Sequence, residues 1–130
     1  MKNIKHLLEP KKIAIFLAVF WTILITYMCL KTYSLQPQLF PNVDKVVHFT
    51  FYFVFVILWY RFLKIKNKNT KKNGLLLFLA SIFFGIMIEY CQYFFTKSRM
   101  AEVLDVAANM VGSTIGIVTA IYFYNIKETA

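Results

Sequence analysis

Asp44, Lys45 and His48 put a carboxylate, an ammonium and an imidazole at the head of an otherwise oily stretch, "DKVVHFTFYFVFVILWYRF". Two further stretches carry the same mixture. "IEYCQYF" holds Glu89 and Gln92, and "RMAEVLDVAAN" holds Arg99, Glu102, Asp105 and Asn109. Brought together, such groups suit two kinds of chemistry. In a binding site, Lys45 and Arg99 would contact phosphate through charge-assisted hydrogen bonds, while Gln92, Asp105 and Asn109 orient hydroxyl or amide groups. In an enzyme, His48 and Glu89 would be general acid and base with Asp105 orienting them, or the three would hold a metal. No nucleophile elbow, HExxH pair or comparable motif accompanies them. Binding is therefore the first reading, with no cofactor required.

The elements that must position these groups follow from composition. Of 130 residues, 59% are hydrophobic and only 16% charged, with mean hydropathy +0.59; an ordinary soluble domain is about a quarter charged. So little polar surface cannot cover a water-soluble globule, and lipid is the natural solvent. Four apolar runs approach or exceed the roughly 18–20 residues that cross a bilayer: about 13–30, 46–63, 74–95 and 104–124. In lipid every backbone amide must be satisfied within its own segment, which calls for helices. The runs do not alternate polar and apolar residues, as a membrane barrel would require. The expected fold is an all-α, four-helix integral membrane bundle spanning residues 13–126 as one unit.

Charge distribution sets the expected orientation. Lys2, Lys5, Lys11 and Lys12 precede the first run, and Lys64, Lys66, Lys68, Lys71 and Lys72 fill the connection between the second and third. Lysines concentrated beside apolar spans mark the cytoplasmic side. Residues 1–12 and 127–130 are then cytoplasmic, and the 31–44 and 96–103 connections face out, in a multi-pass protein of the cytoplasmic (inner) membrane. Aromatic residues do not interleave with the lysines, so the net charge of +9 does not point to nucleic acid. Cys29 and Cys91 sit inside apolar runs as small packing residues; a disulfide between them has no support. "ITYMC" lacks the small residues of a cleavage site, which makes the first run a retained anchor. Pro37 and Pro41 make 31–43 an irregular outer connection.

Depth and face then gather the polar groups. At 1.5 Å per residue, His48, Glu89 and Asn109 lie roughly 5–10 Å below the outer boundary. On the third run Ser81, Gly85, Glu89, Gln92 and Thr96 fall within roughly 80° of arc, and on the fourth Asp105, Asn109, Gly112 and Gly116 within about 60°. On the second run Asp44 and His48 are one turn apart, with Tyr52 a further turn down. Gly112 and Gly116 of "GSTIG", extended by Ala108 and Ala120, form a small-residue row for close helix packing, with Gly85 serving the third helix. Glu9 and Glu128 are terminal; the other four acids, Asp44, Glu89, Glu102 and Asp105, all belong to the outer cluster. Glu89, flanked by "FFGIMI" and "YCQYFF", should turn inward to a partner such as Arg99, Lys45 or His48. Asp44 is also placed to cap the second helix.

Together, "DKVVHFTFYF", "IEYCQYF" and "RMAEVLDVAANMVGSTIG" resemble the VanZ-like membrane proteins, whose pattern runs D-K-x-x-H-F, E-x-x-Q, R-x-x-x-x-x-D-x-x-x-N-x-x-G. The resemblance covers about residues 40–120. Carried over position by position, it marks Asp44, Lys45, His48, Glu89, Gln92, Arg99, Asp105, Asn109 and Gly112. Glu102 takes a place that other residues often hold. The resemblance implies an envelope protein in a family associated with resistance to teicoplanin, a glycopeptide that binds peptidoglycan precursors.

Three functions fit this reading. One is a binding protein whose outward-facing pocket takes a membrane lipid headgroup or a lipid-linked envelope precursor through Asp44, Lys45, His48, Glu89, Gln92, Arg99, Asp105 and Asn109. The second is a membrane enzyme acting on such a substrate with His48, Glu89 and Asp105. The third is a small transporter or proton relay, which a four-span unit would serve as a homo-oligomer. Against the third, nothing polar leads on from Glu89 beyond Ser81.

Overall fold

Each apolar run is a helix in the computed structural model, which describes residues 10–31, 41–66, 68–96 and 102–129. Helix α1 is Pro10–Leu30, α2 is Val43–Lys66, α3 is Thr70–Phe95 and α4 is Val103–Thr129. No strand occurs among the described residues. All four helices are long and apolar enough to cross a membrane, α4 over Val103–Tyr124. The protein is a four-helix, multi-pass membrane bundle.

Local chemistry explains where the helices begin and end. Pro10 opens α1, where its missing N–H costs nothing. Asn42 precedes α2 with φ 62°, a left-handed conformation that asparagine tolerates, and its carbonyl accepts from Lys45 and Val46. Asp44 therefore lies inside the first turn rather than at the cap, where its charge still complements the helix dipole. At the other end of α2 the expected lysine-filled connection contracts to a few residues. Lys64 and Lys66 belong to the last turn of α2, and Lys71 and Lys72 to the first turn of α3. Lysine is a good helix former and its stem can lie along apolar surface with the ammonium in water. Residues 32–40 of the expected irregular connection lie outside the described residues.

The side chain of Asn69 caps α3 by accepting from the Lys72 N–H at 3.0 Å. Asn69→Ala is expected to cost about 1 kcal/mol, read as a lower unfolding midpoint in detergent. Asn69→Asp, which keeps the acceptor, should restore most of the loss.

Contacts give the helix directions. Gln92 of α3 reaches the Cys29 carbonyl at the end of α1, and Trp21 and Thr22 of α1 bond to Phe51 and Trp59 of α2. Lys45 reaches Asp105 near the start of both α2 and α4, and Lys64 reaches the Tyr124 carbonyl near their far ends. So α2 and α4 run parallel, and they share the most extensive interface in the bundle. Gly112 and Gly116 of α4 lie against the backbone of Phe49 and Phe53 of α2. Only hydrogen fits there. Ala120, on the same side of α4, is buried, while Ala108 is half-buried. Aromatic packing fills the middle, with Tyr52, Phe55 and Phe84 in mutual ring contact.

Candidate functional site

The start of α2, the end of α3 and the start of α4 meet at one end of the bundle. His48, Glu89 and Asn109 each stand about 8–9 Å in from their helix ends at 1.5 Å per residue. All are buried, as is Asp105, with exposures of 1% for His48, 5% for Glu89, 6% for Asp105 and 1% for Asn109. His48 Nδ1 and Asn109 Oδ1 are 3.1 Å apart, a hydrogen bond between α2 and α4. Glu89 Oε1 lies 3.9 Å from His48 Nδ1, and Asp105 Oδ2 lies 3.8 Å from His48 Nε2. The imidazole thus stands between two carboxylates carried by different helices.

Glu89 is fixed by a contact that composition could not reveal. Its Oε2 accepts from the backbone N–H of Glu102 at 3.2 Å, immediately before α4 begins. The N–H groups at a helix start lack partners within the helix, so a carboxylate from α3 supplies one and docks the start of α4. The Glu102 carbonyl in turn accepts from Asp105 and Val106.

Lys45 closes the exposed side. Its Nζ reaches Asp44 Oδ2 at 2.9 Å, Glu102 Oε2 at 2.8 Å and Asp105 Oδ1 at 3.2 Å. Three carboxylates therefore share this ammonium. Arg99 lies outside the described residues.

Of the expected site residues, the structure brings Asp44, Lys45, His48, Glu89, Asp105 and Asn109 into one cluster, with Glu102 at its rim. Gln92 does something else. Its Nε2 donates to the Cys29 carbonyl at 2.8 Å, tying α3 to α1. Gly85 leaves room beside Asn109 and Tyr52, since a Cβ there would stand 3.0 Å from Asn109 Nδ2 and 3.5 Å from the Tyr52 hydroxyl. Cys29 and Cys91 are not joined by a disulfide.

Two polar residues lie beneath the cluster, Tyr52, which the sequence placed a turn below His48, and Ser113, which it did not single out. Tyr52 and Ser113 are fully buried, one turn below His48 and Asn109, and neither hydroxyl has a hydrogen-bond partner among the described residues. Their i+4 spacing from His48 and Asn109 was the available signal. Farther down, Tyr60 and Asn73 are also buried, so the interior is not devoid of polar groups beyond Ser81. Hydropathy counts tyrosine as oily, and Asn73 came inside because α3 starts at Thr70. The described grooves lie elsewhere, one along α1 and one between α2 and α4 near Phe123.

The VanZ/LLP1 family model matches residues 2–124, nearly the whole chain. No curated protein and no solved structure matches it.

Proposed function

The chain belongs to the VanZ/LLP1 family, and from that premise we propose that it is an envelope protein that binds the polar headgroup of a membrane lipid or lipid-linked precursor. One observation carries this reading: three helices converge their acids, lysine, imidazole and carboxamide on one end of a bundle whose flanks are apolar. A headgroup is the polar chemistry available at that depth. Most described lysines outside the cluster, Lys31 after α1 being the exception, support an outward orientation of this end in the cytoplasmic membrane. Lys11 and Lys12 start α1, and Lys64, Lys66, Lys68, Lys71 and Lys72 lie at the far ends of α2 and α3, where the positive-inside rule puts the cytoplasm. Asp105 and Asn109 present oxygen and amide groups to a ligand hydroxyl or amide, and Arg99 is the cation left for its phosphate.

The reading is tested by purifying the protein from membranes and weighing bound lipid by native mass spectrometry. Wild type should retain a lipid or lipid-linked precursor that Arg99→Ala loses. Equal retention by Arg99→Ala would remove the phosphate assignment. A role in glycopeptide response follows from the family resemblance. Wild type expressed in a glycopeptide-sensitive host should raise the inhibitory concentration of teicoplanin over vancomycin, and Asp105→Asn at matched membrane levels should abolish that rise.

A further inference from the structure

Beneath the charged cluster, three buried polar atoms from two helices gather at the backbone of a third. Tyr52 of α2 and Ser113 of α4 are fully buried, and Asn109 of α4 is 1% exposed. The Tyr52 hydroxyl, Ser113 Oγ and Asn109 Nδ2 have no hydrogen-bond partner among the described residues. Burying one such group unpaired is costly, and native interiors rarely do so for several at once.

Register brings the three together. α2 and α4 run parallel with His48 bonded to Asn109. Tyr52, one turn below His48, therefore stands level with Ser113, one turn below Asn109. The close contacts of Gly112 with Phe49, and of Gly116 with Phe53 and Val56, hold the two helices together at that level. The third helix contributes Gly85. A Cβ on it would stand 3.0 Å from Asn109 Nδ2 and 3.5 Å from the Tyr52 hydroxyl. Both atoms thus flank one point beside the α3 backbone, where glycine puts only a hydrogen. Phe55 and Phe84, in ring contact with Tyr52, wall the place with apolar surface.

We propose that one water molecule is held inside the bundle between α2, α3 and α4, bonded to Tyr52, Asn109 and Ser113. A buried water makes about three hydrogen bonds, which matches the three atoms. It accepts from the Tyr52 hydroxyl and from Asn109 Nδ2, and it gives a hydrogen to Ser113 Oγ. A cation does not suit the place, because the Asn109 NH2 can only donate. With Nδ2 donating to the water, Asn109 Oδ1 is kept toward His48 Nδ1. The water so sets the orientation of a carboxamide in the cluster above. The site stands whether or not a lipid headgroup binds there.

The full chain in detergent tests this by X-ray radiolytic labelling read by mass spectrometry, in which ionised bound water oxidises the side chains beside it. Tyr52 should be labelled although it is fully buried, and in oxygen-18 water its label should exchange more slowly than that of exposed Tyr90. Gly85→Ala, whose methyl fills the space, and Ser113→Val, which removes one partner, should each lose the Tyr52 label and keep that on Tyr90. Circular dichroism and gel filtration establish that each variant is folded. Stability is the second readout. Tyr52→Phe should raise the unfolding constant about fivefold, because it removes a hydrogen bond that is made; removing an unpaired buried hydroxyl would instead be neutral or stabilising. Ser113→Ala should act similarly, and the double variant should lose less than the two effects combined, since they share one water. Three results overturn the proposal: an unlabelled Tyr52 in wild type; a label that survives in the folded variants or exchanges as fast as Tyr90; or a Tyr52→Phe protein as stable as wild type. The first of these with a destabilised Tyr52→Phe would mark a direct Tyr52–Ser113 bond in place of the water. Lipid retention does not enter these measurements, so this reading and the headgroup reading fail separately.

Discussion

Gly112→Ala should destabilise the bundle by about 3 kcal/mol, the upper part of the usual cost of overpacking. The added methyl would meet the Phe49 carbonyl oxygen, with the carbonyl carbon at 3.0 Å and Cα at 3.1 Å. These are backbone atoms of a helix, so no rotamer change relieves the clash. α2 and α4 must separate along their whole parallel contact, loosening the His48–Asn109 bond and the Lys45–Asp105 pair above it. Gly116→Ala should behave similarly, because its Cβ would stand 2.7 Å from the Phe53 oxygen and press on Val56. Gly74→Ala is the control. There the nearest atoms are Ile117 Cγ2 at 3.5 Å and Ile121 Cδ1 at 3.7 Å, ordinary contact, and stability should change by less than about 1 kcal/mol. Unfolding in detergent measures all three. A Gly112→Ala protein as stable as wild type would show that the two helices do not approach this closely.

Lys45→Ala comes next in expected effect. It leaves Asp44, Glu102 and Asp105, all within 3.2 Å of the lost ammonium, facing one another without their shared cation. Removing one partner of a fully buried pair costs roughly 3–5 kcal/mol. Lys45 is 21% exposed and Glu102 50%, and water screens part of that repulsion, so about 2 kcal/mol is expected. Its sign of origin is rescue. Asp105→Asn in the Lys45→Ala background should recover at least about 1 kcal/mol in a double-mutant cycle. Strict additivity of the two substitutions would show that Lys45 acts through packing alone. Because the repulsion is electrostatic, the loss in Lys45→Ala should also shrink as salt is raised.

Much of this was legible in the chain. Four long apolar runs with few charges can only be helices in lipid, since no other structure satisfies their amides. Lysines gathered beside particular runs, and acids gathered near the opposite ends, reveal which helix ends belong together. Period-3.6 spacing then identifies the face on which His48, Glu89, Asp105 and Asn109 lie. Such inferences need only local geometry and the cost of charge in hydrocarbon.

Partners are a different matter. Glu89 was expected to find a partner such as Arg99, Lys45 or His48, and it does stand 3.9 Å from His48 Nδ1, but its 3.2 Å bond to the backbone N–H of Glu102 could not be foreseen. Gln92 shares the face of Glu89, yet it turns to the Cys29 carbonyl on α1. Lys45 is shared by three carboxylates, a pairing that periodicity could not give. Each outcome depends on which helix lies beside which and at what rotation, and hydropathy carries no information about either. By itself the sequence determined the solvent, the number of helices, the end where charge collects and the family. The tertiary structure decided how that charge is shared, because pairing energies depend on ångström distances between helices that periodicity cannot measure. It also placed Gly112 against Phe49, a contact that lets α2 and α4 approach closely enough for an imidazole on one to face a carboxylate on the other.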